Sequence, residues 1–265
     1  MKCSHSLSEI LDNRAWNENR IPFPHVTAEA VFKLDYYSIL EAEFIKILGS
    51  GIVEGRSRAR LGRNMRGYDA YGMTFPPDYD GPFSIFMSRE FHDMIAELCK
   101  APSTGHINCG LHHHAKGSAN GWVHNDLNPA FFVNYPSADG INVPRHNVCS
   151  YSRGTVFQTG LTASRVVRSV AILFYLCNPG WSPRDGGFTG LYPCQDDPVG
   201  RPTSMVPPEN NSILLFECTP WSFHSFIANP GRQRNCLIMW LHRNPEEVNA
   251  RWGAERIVEW PQHVG

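Results

Sequence analysis

The feature that most constrains this chain is a series of short strand candidates in its second half, each ended by turn residues. Val166 to Leu176 is a β-branched and aromatic run with alternation, and Ser212 to Cys218, Trp221 to Ala228 and Asn235 to His242 follow it. Asn178-Pro179-Gly180, Pro207 to Asn211 and Asn229-Pro230-Gly231 punctuate them. Short strands with regular turns predict a sandwich or barrel. Residues 134–160 are rich in Ser, Gly, Pro and Asn and read as one long loop. Loops of that length inside a compact domain are usually functional or mobile.

The first 105 residues have a different texture. Ala28 to Leu48 places Val31, Phe32, Leu34, Ile39, Leu40, Phe44, Ile45 and Leu48 near a 3.6-residue period, which predicts a helix. Ser88 is placed to cap a second helix, Arg89 to Lys100, with Phe91, Met94, Ile95 and Leu98 on one face. Gly49 to Tyr79 is rich in Gly, Arg and Tyr and is expected to be largely irregular. The expected organisation is a helical support and substrate-loop region over 1–105, a β core over 106–245 and a tail over 246–265.

With 42% hydrophobic and 18% charged residues, the 265-residue chain is expected to fold as a soluble globular protein. A net charge of -1 gives no electrostatic case for nucleic acid or an acidic membrane as partner. The eight cysteines form no C-x-x-C pair, so they suit scattered thiols in a reducing compartment better than zinc or disulfides. Met1 to Asn19 has no apolar core, and no stretch approaches 18 uninterrupted apolar residues. A cytoplasmic location is the expectation.

His124-Asn125-Asp126 is an H-x-D triplet. In an extended segment, residues i and i+2 share one face, so one imidazole and one carboxylate can share a metal. His224, in the Trp221 to Ala228 strand candidate, is placed to be the third ligand. Two His and one carboxylate leave three coordination positions open, the arrangement of non-haem Fe(II) oxygenases. A lone H-x-D triplet among twelve histidines is weak evidence by itself.

The order of elements around the triplet strengthens it. His124-Asn125-Asp126 is followed by Arg168 leading into Leu173-Phe174-Tyr175-Leu176, then Gly186-Gly187-Phe188-Thr189, then Asn211-Ser212-Ile213-Leu214-Leu215-Phe216. His224 and Gly231-Arg232-Gln233-Arg234, running to Trp240, complete a pattern of about 120 residues. In these pieces, and in the opening Pro22-Phe23-Pro24-His25, the sequence resembles the prolyl-4-hydroxylase-like branch of the 2-oxoglutarate/Fe(II) oxygenase superfamily. It departs from that pattern in having Phe188 where an acidic residue is usual, and a longer loop before Arg168.

The resemblance implies an all-β core, a double-stranded β-helix or jelly-roll barrel, with flanking α-helices that are mainly N-terminal. It implies a dioxygenase with Fe(II) on His124, Asp126 and His224, 2-oxoglutarate as co-substrate, O2 as oxidant and ascorbate in a supporting role. The expected reaction is hydroxylation of an unactivated C–H bond of a small molecule, such as an amino-acid derivative or secondary metabolite. The alternatives are a peptidyl (prolyl-type) hydroxylase, or a halogenase of the same fold, which Asp126 argues against because a halogenase has Gly or Ala there. A non-enzymatic sugar- or protein-binding barrel is a further alternative, opposed by the complete ligand set.

The resemblance places Arg234, ten residues after His224, on the distal carboxylate of 2-oxoglutarate. A guanidinium matches a carboxylate with two parallel hydrogen bonds. Arg232 is the near competitor, and a surface ion pair is the structural alternative. His112 and His114, on one face of a strand before the triplet, stand where the family often has a Tyr that bonds 2-oxoglutarate; one buried, satisfied histidine is the other reading. Arg168 joins them as a co-substrate-binding candidate. Arg56, Arg58, Arg60, Arg63 and Arg66 form either an anion grip or a solvated face. Tyr68, Tyr71, Phe75, Trp122 and Phe131 are candidates for a pocket or for core, and Asn128-Pro129-Ala130 for substrate contacts or a turn.

Overall fold

The computed structural model describes residues 6–55, 60–63 and 69–259. In chain order the elements are α1 (Leu7–Ile10), β1 (Asn17–Asn19), β2 (His25–Ala28), α2 (Leu34–Gly49), β3 (Gly62–Arg63), β4 (Tyr71–Thr74) and α3 (Arg89–Leu98). They continue with β5 (Ile107–His114), β6 (Pro129–Val133), β7 (Ala163–Tyr175), β8 (Thr189–Tyr192), β9 (Ser204–Val206), β10 (Ser212–Glu217), β11 (Phe223–Phe226), β12 (Arg234–Arg243) and α4 (Pro245–Trp252).

Two antiparallel sheets face each other as a double-stranded β-helix. The larger has the order β1-β2-β10-β7-β12-β5-β4-β3, with β6 pairing β7 off that path. The smaller has the order β11-β8-β9 and is extended by a bridge from His124 to His224. Side chains alternate across each strand. On β7, Val170, Ile172 and Phe174 join a core between the large sheet and the helices. Ala171, Leu173 and Tyr175 point the other way, into the barrel. Both faces of β7 are therefore dry, which explains its near-continuous apolar run.

The helices cover the outer face. α2 buries Tyr36, Tyr37, Leu40, Phe44 and Ile47, the helical stripe. α3 is capped by Ser88, whose hydroxyl accepts from the Phe91 amide. Phe32 meets Phe86 and Phe174 edge-on at 5.6 and 5.3 Å, which joins loop, helix side and sheet in one aromatic cluster.

Two expectations for the N-terminal part are corrected. The helix starts at Leu34, not near residue 28, because Val26 to Ala28 pair with β10 instead. Val31 and Phe32 are core residues on a loop: Asn211 accepts from the Phe32 amide at 2.9 Å and donates to its carbonyl at 2.6 Å. Their burial imitates helical periodicity without any helix. Within Gly49 to Tyr79, β4 is regular and pairs along β5, where Gly110 admits it, since a Cβ there would lie 2.1 Å from the Met73 carbonyl oxygen.

One irregularity shapes the barrel interior. Leu241 pairs with Val170 but His242 pairs with Arg168, so Ser169 has no opposite residue. Such a bulge re-aims a side chain, and Arg168 turns inward beside Trp240. Among the described residues no helix is long and apolar enough to cross a membrane, and the described cysteines are free thiols.

Candidate metal and co-substrate site

His124 and His224 are held side by side by reciprocal backbone hydrogen bonds: the His124 amide donates to the His224 carbonyl at 3.1 Å and the reverse bond is 2.8 Å. Their ring centroids lie 4.4 Å apart. Each Nδ1 faces the carbonyl of the residue two positions earlier, Trp122 at 2.8 Å and Ser222 at 3.2 Å. A carbonyl only accepts, so Nδ1 carries the proton and Nε2 presents its lone pair inward. Asp126, two residues after His124, completes the group, and the three donor atoms lie within 4.8 Å of one another. Two imidazole nitrogens and a carboxylate oxygen converging in this way fit Fe(II) with positions left open.

The electrostatics suit a cation. Burial, with His224 adding to it, pushes His124 down to about 4, so its imidazole is neutral at physiological pH. Burial alone would raise Asp126; Arg168 and the two histidines outweigh it and hold the carboxyl well below the usual range. Arg168 Nη1 donates to Asp126 Oδ1 at 2.7 Å, and Trp240 Nε1 donates to Oδ2 at 2.8 Å. Oδ2 also lies 3.5 Å from His224 Nε2, so it is the oxygen turned toward the metal position. The Arg168 guanidinium stacks on the Trp240 ring, 3.9 Å from its centroid.

Arg234 opens β12 inside the barrel and is 4% exposed. Its Nη2 donates to Thr189 Oγ1 at 3.1 Å and its Nη1 to Cys236 Sγ at 2.9 Å. Tyr175 bonds the same Thr189 hydroxyl at 2.7 Å, and its ring centroid lies 5.1 Å from the guanidinium. Gly186 and Gly187, at φ 71 and 79, make room for this corner: a Cβ would lie 2.1 Å from the Ala228 carbonyl oxygen and 3.1 Å from Arg234 Cγ respectively. Arg232 instead lies at the surface, near Asp185 and the Pro179 carbonyl.

His112 and His114 do share the inward face of β5. His114 stacks on Phe226 at 3.7 Å, and its Nδ1 meets the Asp69 carbonyl. Burial, and then the nearby Arg234 charge, pushes His112 down to about 4 and His114 well below its ordinary value. Arg168 lies against Asp126, not against Arg234 and Thr189. Of the aromatic candidates, Trp122 stands beside His124, with centroids 5.7 Å apart. Tyr71 packs on His113, and Phe75 and Phe131 belong to hydrophobic clusters away from the site. Arg63 bonds Tyr71, whereas Arg56, Arg58, Arg66 and Tyr68 lie outside the described residues. Asn128 is 3.4 Å from Arg168 Nη1. The roles of Thr189 and Tyr175 beside Arg234, and of Trp240 beside Asp126, were not assigned from sequence. Strand alternation from Leu173 and register against Cys236 could have found Tyr175.

The profile of the 2OG-Fe(II) oxygenase superfamily matches residues 146–242, a span that includes His224, Arg234 and Trp240. Over that span, which is less than half of the chain, the sequence matches the 2-oxoglutarate/Fe(II) oxygenase superfamily. Members of that superfamily use Fe(II), 2-oxoglutarate and O2, and the N2O donor set described above suits that use. The prolyl 3-hydroxylase OGFOD1 of Xenopus laevis is 38% identical to this chain over 80 residues, 28% of the chain and 15% of that relative. The match thus spans a small part of the relative's length. In fold, the chain is similar to a Pseudomonas putida prolyl-4-hydroxylase (TM-score 0.53, 15% identity, 83% of this chain and 92% of that one). It is also similar to a Trichoplax adhaerens prolyl hydroxylase, solved with a peptide fragment of the hypoxia inducible factor oxygen degradation domain (TM-score 0.52, 16% identity, 86% of each chain).

Proposed function

We propose that this protein is an Fe(II)- and 2-oxoglutarate-dependent hydroxylase with iron on His124, Asp126 and His224. The observation that carries the reading is the convergence of two tautomer-locked Nε2 atoms and one buried carboxylate within 4.8 Å. With Fe(II), 2-oxoglutarate and O2 bound, the site would couple decarboxylation of 2-oxoglutarate, to succinate and CO2, to insertion of one oxygen atom into a substrate C–H bond. Arg234 and Thr189 would hold the distal carboxylate of 2-oxoglutarate, at a depth where a charge-assisted bond is strong. Arg168 neutralises Asp126 and keeps it ionised. Asp126 stands where a halogenase has Gly or Ala, which favours hydroxylation over halide transfer.

For the substrate, the sequence reading put a small molecule first. The likeness to proteins named as prolyl hydroxylases supports a prolyl residue within a peptide instead, and that is the substrate class proposed. The test is succinate release with Fe(II) and ascorbate over a panel of prolyl peptides, free amino acids and acylated amino acids, with product mass spectrometry in chloride buffer. Product 16 Da heavier on a peptidyl proline is expected, the mass of one added oxygen atom. Turnover of only the small molecules would overturn the peptide assignment. Chlorinated product would overturn hydroxylation. One equivalent of iron retained by both His124→Ala and His224→Ala would overturn the site.

A further inference from the structure

The long loop after β6 sends one side chain to the metal carboxylate's supporting arginine. Residues 148–157 form a tight reversal: the Ser150 amide donates to the Thr155 carbonyl, the Gly154 amide to the Ser150 carbonyl, and Cys149 bridges Val156. The Phe131 amide donates to the Tyr151 carbonyl at 2.9 Å, which fastens the reversal to β6. Gly154, at φ 69, permits it, because a Cβ there would sit 2.6 Å from the Phe131 ring. The Tyr151 ring is thereby placed between Phe132 and His242, with centroids 5.6 and 5.8 Å away.

The hydrogen bonds around Tyr151 can be given directions one by one. His242 Nδ1 faces the His106 carbonyl at 2.9 Å and must donate to it. His242 Nε2 is then an acceptor, so the Tyr151 hydroxyl, 2.8 Å away, donates to it. The Tyr151 oxygen is left to accept, from Arg168 Nε at 3.4 Å and from the Asn108 side chain. Arg168 Nη1 in turn donates to Asp126 Oδ1. The series runs from the His106 backbone, just before β5, through β12 and the loop to the carboxylate that faces His224. With Nε on the Tyr151 oxygen and Nη1 on Asp126 Oδ1, the guanidinium is held from two sides and in turn holds the carboxylate.

We propose that Tyr151 is a positioning residue for Asp126, acting through Arg168 with His242 as its anchor. The proposal rests on the iron reading above. Tyr151 touches neither the metal position nor the co-substrate corner. Its hydroxyl fixes Arg168, which fixes Oδ1 and so leaves Oδ2 for the metal. Residues that orient metal ligands in this way change metal affinity by about 10- to 100-fold when removed.

The test uses Co(II) as an O2-inert probe for Fe(II), titrated anaerobically into the full chain and followed by its visible ligand-field bands. Tyr151→Phe keeps the ring and loses the hydroxyl; it should weaken Co(II) binding about tenfold and alter the bands. Tyr37→Phe removes another part-buried hydroxyl, one that bonds Glu41 on α2, and serves as the matched control with native affinity and bands. His242→Leu should match Tyr151→Phe and supplies the result if that variant does not fold. His242→Gln keeps an acceptor for the hydroxyl and should restore most of the affinity. Native binding with unchanged affinity and bands in both Tyr151→Phe and His242→Leu overturns this proposal alone. No Co(II) or Fe(II) binding by the native protein overturns the iron reading and this proposal with it.

Discussion

The indole Nε1 of Trp240 donates to Asp126 Oδ2, the same oxygen that faces His224. One carboxylate oxygen therefore serves two partners, the indole and the metal position, while Arg168 takes the other. An ionised carboxylate has about four lone-pair sites, so these uses are compatible. Trp240 thus clamps the Asp126 carboxylate, the proposed iron ligand, as well as walling the barrel.

Trp240→Phe keeps most of the wall and removes the clamp. Fe(II) affinity should fall about tenfold, the low end for loss of a bond that orients a ligand. Anaerobic iron titration, read beside a thermal melt, checks this. A variant that melts early but binds iron normally would show that the indole is packing only.

Arg234→Ala should raise the apparent KM for 2-oxoglutarate, because a hydrogen bond to a charged group is worth about 1.5–3 kcal/mol, or roughly 10- to 150-fold. Arg232→Ala should leave that KM unchanged, since its side chain is 54% exposed and lies near Asp185. Steady-state kinetics in the co-substrate decides between them. The reverse pattern would move the role to Arg232.

Acid should destabilise the metal-free protein partly through His112. Burial and the Arg234 charge hold it at about 4 in the fold, against 6.5 in an open chain. Between those values the unfolded chain binds the extra proton, so stability falls as pH drops from about 6.5 toward 4 and is unaffected above that window. The effect is at most about 3 to 4 kcal/mol, at 1.36 per pKa unit. His112→Gln should flatten the dependence of the urea midpoint on pH within that window. Parallel slopes for native and variant would show that His112 is not held neutral.

What was legible in the sequence had local geometry behind it. His124 and Asp126 share a face because they are two apart in an extended segment; the family resemblance, through its spacing from His224 and Trp240, preferred Arg234 to Arg232, and of the two Arg234 is the buried one. The strands were legible because β7 and β12 are buried over most of their length and carry apolar runs, Val170 to Tyr175 in one and Leu237 to Leu241 in the other. The helix start was not, because Val31 and Phe32 owe their burial to Asn211, 179 residues later in the chain. Tyr151 was not, because nothing within a Ser- and Gly-rich loop says which residue will reach Arg168. Arg168 itself was placed with the co-substrate, when the bulge at Ser169 turns it to the metal carboxylate.

That bulge has a consequence for how the chain tolerates change. Along β7, even-numbered positions from 170 to 174 belong to the layer under the helices, and odd-numbered ones from 171 to 175 to the interior of the barrel. A mutational library over β7 would divide by parity: even positions governing how much folded protein accumulates, odd positions governing what the folded protein can do. At 168–169 the count slips, so Arg168, an even position, answers to selection on chemistry. A single extra residue in the ladder has moved one position from the face that sets folding to the face that sets chemistry.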